Sequence, residues 1–105
     1  MNGLIRILKK TYSYFMTKRF KRFKDLQFKT HPIGKGVQAT MKFPNGHAIS
    51  VVGGTPGLYG DGINNFEIWK SNAEEPQGYV TPEDIDIAML ELQSLPPYEK
   101  YPGFQ

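Results

Sequence analysis

The sequence predicts an α+β fold: a small antiparallel sheet of three to four strands, packed on one face by a C-terminal helix and preceded by a basic helical arm. Three observations carry that expectation. Residues 36–52 alternate with period two around an Asn45-Gly46 pair, Thr81-Pro82-Glu83-Asp84 opens an apolar stripe at helical spacing, and charge divides the chain unevenly. Ten of the 13 Lys and Arg lie in residues 1–35 against one acid, a net +9, whereas three bases and nine acids leave residues 36–105 at −6. The chain therefore reads as a basic amphipathic N-terminal arm or extension, residues 1–24, and a single small α+β domain, residues 25–105.

Composition bounds the chemistry. A length of 105 residues gives room for one domain, and 13% aromatic residues favour a real core in a body near the lower size limit for independent folding. With no cysteine there is neither a disulfide framework nor a thiolate nucleophile, and with two histidines a zinc site would have to recruit carboxylates, so no metal is expected. The apolar runs fall far short of the roughly 18 residues of a membrane span, so no transmembrane segment is expected.

Along the chain, residues 3–16 place Leu4, Leu8, Tyr12 and Phe15 at helical spacing, with Arg6, Lys9 and Lys10 mostly away from that stripe. Three readings stay open: a helix docking on the body or a partner, a helix lying on a membrane surface, or an upstream extension, since Met16 could itself start a small protein. Residues 18–28 interleave Lys18, Arg19, Lys21, Arg22 and Lys24 with Phe20, Phe23 and Phe28. Cations among rings suit single-stranded nucleic acid, yet the i, i+3 spacing of Phe20 and Phe23 equally suits anchoring to a core. His31-Pro32 reads as an irregular structural link, because a residue before proline avoids helical geometry.

From Lys35 the alternation sets Val37, Ala39, Met41 and Phe43 against Gln38, Thr40 and Lys42, and His47 to Val52 continues extended beyond Asn45-Gly46. A two-residue loop would pair Phe43 with Ala48 and Met41 with Ser50. His47 is read as a surface or edge residue. Residues 53–62, GGTPGLYGDG, form a glycine-dense loop that could cradle a phosphate or simply turn; it lacks the P-loop spacing and its Lys-Ser/Thr, and DGINN lacks the order of a calcium loop. Asn65 to Lys70 reads as a strand with Phe66 and Ile68 on one face and Glu67 and Trp69 on the other. Trp69 is expected to be in the core or partly buried, covering the far side of the sheet or sharing a binding surface with Tyr59. Gln77 to Val80 adds a short fourth strand.

Thr81 then supplies a hydroxyl N-cap, Pro82 the first helical position, and Glu83 and Asp84 first-turn acids. The helix should span about 82–94, burying Ile85, Ala88, Met89, Leu92 and Leu95, and Pro96-Pro97 stops it. Of catalytic chemistry there is only a His47–Glu67 pair that neighbouring strands could bring together, without a triad order or paired carboxylates; no enzyme and no cofactor are expected.

Several of these stretches share one further property. Phe28-x-x-His31-Pro32-x-Gly34-x-Gly36-x-Gln38-Ala39, Phe43-x-Asn45-Gly46-x-x-x-Ser50-Val51-Val52, Tyr59-Gly60, Phe66-Glu67-Ile68 and Gly78-Tyr79-Val80-Thr81-x-x-Asp84 together resemble a family of short uncharacterised bacteriophage proteins, over about residues 25–93. The chain departs from that pattern between Trp69 and Gly78. The resemblance implies a noncatalytic accessory protein of host takeover or anti-defence, acting in the host cell cytoplasm. Such a protein would bind and sequester a nucleotide-type immune signal, for instance a cyclic nucleotide or an ADP-ribose derivative. For that ligand the expected contacts are Lys42, Asn45, His47, Tyr59 and Trp69, rings stacking on a base while amides or a cation hold phosphate. The alternatives are an inhibitor that blocks a host defence protein, using the acidic face of helix 82–94, and a nucleic-acid binder using Lys18, Arg19, Lys21, Arg22 and Lys24. A homo-oligomer is expected, because a small sheet covered on one face leaves a second face and edges for another copy.

Overall fold

The computed structural model describes residues 20–98. The helix expected over residues 3–16, and Lys18 and Arg19, lie outside the described residues. Five strands form one antiparallel meander in the order β1 (Lys29–Thr30), β2 (Val37–Lys42), β3 (Ala48–Gly53), β4 (Phe66–Lys70) and β5 (Gln77–Val80), and α1 (Pro82–Gln93) follows directly. The expected α+β arrangement is present, with five strands rather than three to four. The additional strand is β1, whose two residues carry no alternation to read and which pairs only Lys29 with Gln38 and Thr30 with Val37.

Alternation sends Ala39, Ile49, Val51, Phe66, Ile68 and Val80 to one face, where they meet Ile85, Ala88, Met89 and Leu92 of α1. Ile49, Ile68, Ile85, Met89, Leu92 and Val51 are fully buried, each contributing about 1.5–3 kcal/mol relative to exposure. The helix starts as its sequence dictates: Thr81 Oγ1 accepts from the Asp84 amide at 3.2 Å while Asp84 Oδ2 accepts from the Thr81 amide at 3.1 Å.

The hairpin register differs by one residue from the sequence expectation: Lys42 pairs with Ala48 and Met41 with Ile49. Pro44 explains the shift. Its fixed φ suits the first central position of a type I turn, closed by Gly46 N–H donating to Phe43 O at 2.9 Å, and Gly46 then takes φ +90 as the third loop residue. A two-residue loop would have required Asn45 at positive φ, and among the described non-glycine residues only Tyr79 has that geometry.

The segment leading into β1 docks along α1. Gln93 brackets Lys21, accepting from its amide at 2.7 Å and donating to its carbonyl at 2.9 Å, while Asp86 Oδ1 accepts from the Phe23 amide at 2.7 Å. The Phe23, Phe28 and Phe66 rings pack mutually with centroids 5.4–5.6 Å apart. Phe23 and Phe28 are thus core anchors whose faces are already taken.

Candidate functional site

The residues opposite the core face form a surface that no described element covers. Register arranges it in rows across β2, β3 and β4: Gln38–Val52–Glu67, then Thr40–Ser50–Trp69, then Lys42–Ala48. Ser71 extends the last row, its amide donating to Ala48 O at 2.9 Å. Because strand side chains alternate, the same pattern that buries Ile49, Val51, Phe66 and Ile68 obliges these residues to face outward. Trp69 is 51% exposed, correcting the expectation of core or partial burial, and its indole N–H donates to Ala73 O at 3.1 Å, which fixes the ring while leaving much of it uncovered. Beside it runs a groove of about 320 Å³ lined by Thr40, Ala48, Ser50, Trp69, Ser71 and Ala73. Hydroxyls of Thr40 and Ser50, one indole and a nearby exposed ammonium at Lys42 give a surface for a planar, hydrogen-bonding and anionic group.

Lys42 and Trp69 share this face, but the remaining expected contacts lie elsewhere. Asn45 works inside the fold: its Nδ2 donates to Leu92 O at 2.8 Å and Leu95 O at 3.1 Å, and its Oδ1 accepts from the His47 amide at 3.1 Å. The side chain therefore joins the hairpin turn to the Leu92 carbonyl in the last turn of α1 and to the Leu95 carbonyl just beyond the helix. His47 is 7% exposed, correcting the surface expectation. Its Nδ1 lies 3.0 Å from Ser71 Oγ, and Tyr98 meets its ring edge-on with centroids 5.1 Å apart. Burial follows from the one-residue register shift, which leaves His47 opposite Phe43 at the end of the hairpin. Glu67 is not brought to His47; its Oε1 accepts from the Tyr59 amide at 3.2 Å.

Tyr59 is exposed and packs edge-on against exposed Tyr79, centroids 5.9 Å apart. Tyr79 sits at φ +56 where β5 shifts register against β4, a bulge that turns its ring outward. The glycine-dense loop holds the Tyr59 end in place by backbone crossing: a Cβ on Gly60 would lie 2.6 Å from the Phe66 backbone. Several of its amides are already occupied, among them Gly54 N–H by Gly60 O and Gly62 N–H by Asn65 O, each at 2.9 Å. Asp61 accepts from the amides of Ile63, Asn64 and Asn65 at 2.8–3.0 Å. Those N–H donors, Asn65 foremost, hold its carboxyl below the ordinary carboxylate range. Much of the loop thus spends its donors on its own turns.

Of the basic segment, Lys21 and Lys24 are exposed, and Arg22 stands 3.9 Å from Asp86. The rings meant to alternate with these cations at a nucleic acid include Phe23 and Phe28, which are packed against Phe66. Sequence reasoning missed Thr40, Ser50, Ser71 and Tyr79; the expected two-residue loop put Ser50 on the face of Met41, and only the observed register sets it beside Thr40 and Trp69. Among the described residues no cluster of three or more His, Asp or Glu side chains could hold a metal ion, and no helix is long and apolar enough to cross a membrane. No protein-family model, curated protein or solved structure matches this chain.

Proposed function

We propose that this chain is a noncatalytic binding protein that captures a nucleotide-type small molecule on the uncovered face of its sheet, with Trp69 as the stacking platform. The observation that carries the reading is the half-exposed Trp69, fixed by its bond to Ala73 and bordered by a groove with three hydroxyls. A base or other planar ring stacks on the indole, and Thr40 and Ser50 offer donors and acceptors to its substituents, whereas Ser71 Oγ already accepts from the Ala48 amide and meets His47 Nδ1, each at 3.0 Å. Lys42, in the row next to Thr40, supplies the cation for a phosphate in this reading. Tyr59 and Tyr79 form a second aromatic patch bordering the same sheet, separated from Trp69 by Glu67.

The resemblance to phage proteins supplies the setting: sequestration of a host immune signal in the host cytoplasm. Blocking of a host defence protein by the acidic side of α1, where Glu83, Asp84 and Glu91 are exposed, is the second reading. Binding of nucleic acid through Lys21, Arg22 and Lys24 is weakened by the packed phenylalanines. The experiment is a fluorescence titration, because Trp69 is the sole tryptophan. Cyclic dinucleotides and ADP-ribose should quench or shift its emission saturably, and Lys42→Glu should weaken phosphorylated probes by roughly tenfold. Unchanged emission with every nucleotide probe, together with capture of a host protein lost on reversing Glu83 and Asp84, would favour the second reading.

A further inference from the structure

We propose that, when no ligand is bound, the uncovered face pairs with the same face of a second copy of this chain, forming a two-fold dimer with Lys42 of each copy against Glu67 of the other. Within β2, β3 and β4 the rows make the face charge-complementary to itself, with Lys29 of β1 extending the first row beside Gln38. Lys42 and Glu67 occupy opposite corners and Ser50 lies at the centre, in the middle row between Thr40 and Trp69. With strands about 4.8 Å apart and a rise of about 3.4 Å per residue, the corners are roughly 16 Å from each other. A two-fold axis lying in the face, passing Ser50 and perpendicular to that diagonal, places each Lys42 over the partner copy's carboxylate corner. The strands of the two sheets then cross steeply, which is the orthogonal mode of sheet packing.

Shape agrees with charge. The same axis carries Trp69 of one copy toward Ala48 and Ser50 of the other, the small side chains that floor the groove. The largest side chain of the face thus meets its shallowest part, and two half-exposed indoles leave water together. Neither corner has an ion-pair partner among the described residues, the single described pair being Arg22–Asp86. Among the described residues, Glu67 uses only Oε1, for the Tyr59 amide, leaving Oε2 to receive an ammonium. The interface is isologous and closes on itself, so it stops at the dimer. One consequence rests on the ligand proposal above: a bound ring and the second copy compete for Trp69, so ligand drives the dimer apart.

Sedimentation equilibrium of the full chain, without added ligand, tests the pairing itself. The wild type should show a reversible monomer–dimer equilibrium, and Lys42→Glu or Glu67→Lys alone should each weaken it by about tenfold or more. The double reversal Lys42→Glu/Glu67→Lys should restore it to within about threefold, because the corners are complementary again. Trp69→Ala, at an exposed position that leaves the core intact, should abolish the dimer while circular dichroism stays native. A wild type that remains monomeric at about 100 μM, single reversals without effect, or a double reversal no tighter than the singles would overturn the proposal.

Discussion

The two faces of the one sheet differ in how much of their chemistry the fold consumes. On the covered face, Ile49, Val51, Phe66 and Ile68 are at most 3% exposed and meet Ile85, Met89 and Leu92. On the other face, from alternate positions of the same strands, Lys42 and Trp69 stand exposed and Ser50 and Glu67 half-buried, with no described element packed over them. Hydrophobic burial explains the first set without remainder, because each of its side chains has left water for a well-packed neighbour. It leaves Trp69 half exposed beside a groove, the feature on which the proposed binding rests. Folding and the proposed binding thus draw on alternate residues of β2, β3 and β4.

Substitutions sharpen that contrast. The largest effect belongs to the covered face: Ile68→Ala should cost about 3 kcal/mol or more in chemical denaturation, through lost burial and the cavity it leaves. An equal loss from an uncovered-face substitution such as Thr40→Ala would break the division. Next is the joint between hairpin and helix. Asn45→Ala removes the donors to Leu92 O and Leu95 O and should cost about 2 kcal/mol, which denaturation midpoints would register without any change in emission of Trp69.

The smallest effect is a pH dependence in the loop. The folded-state pKa of Asp61 is lowered by its amide donors, so its contribution is fully present above the ordinary carboxylate pKa of about 3.9. It is lost as pH falls through the lower folded value. Asp61→Asn can still accept those amides but cannot titrate. Thermal melts between about pH 5 and pH 2 should therefore fall slightly less steeply for Asp61→Asn than for the wild type, and identical slopes would remove Asp61 from the account.

Much of the covered face was legible because burial imposes a period. The alternation of β2 and β3, Phe66 and Ile68 on β4, and the Thr81-Pro82-Glu83-Asp84 start of α1 all state their structure locally. The β1 strand did not, since Lys29 and Thr30 pair only because β2 is already in place. The hairpin register escaped because Asn45-Gly46 looks like a two-residue turn, while Pro44 decides for three. Less of the candidate site was readable. Trp69 was placed opposite Ile68 by alternation, but Asn45 and His47 looked like ligand contacts because their partners, Leu92, Leu95 and Ser71, are 24 or more residues away in sequence. Glycines of the 53–62 loop suggested a phosphate cradle, whereas close backbone crossing is what positions such as Gly60 accommodate.

The central claim is that the uncovered face exists to hold a ligand. Wild-type and Trp69→Ala proteins, freed of nucleic acid, would be incubated with the small-molecule fraction of phage-infected cells, repurified and denatured, and the released compounds weighed by mass spectrometry. A nucleotide released in stoichiometric amount from the wild type and absent from Trp69→Ala is the predicted result. An empty wild type, or the same nucleotide released equally from both proteins, would contradict it.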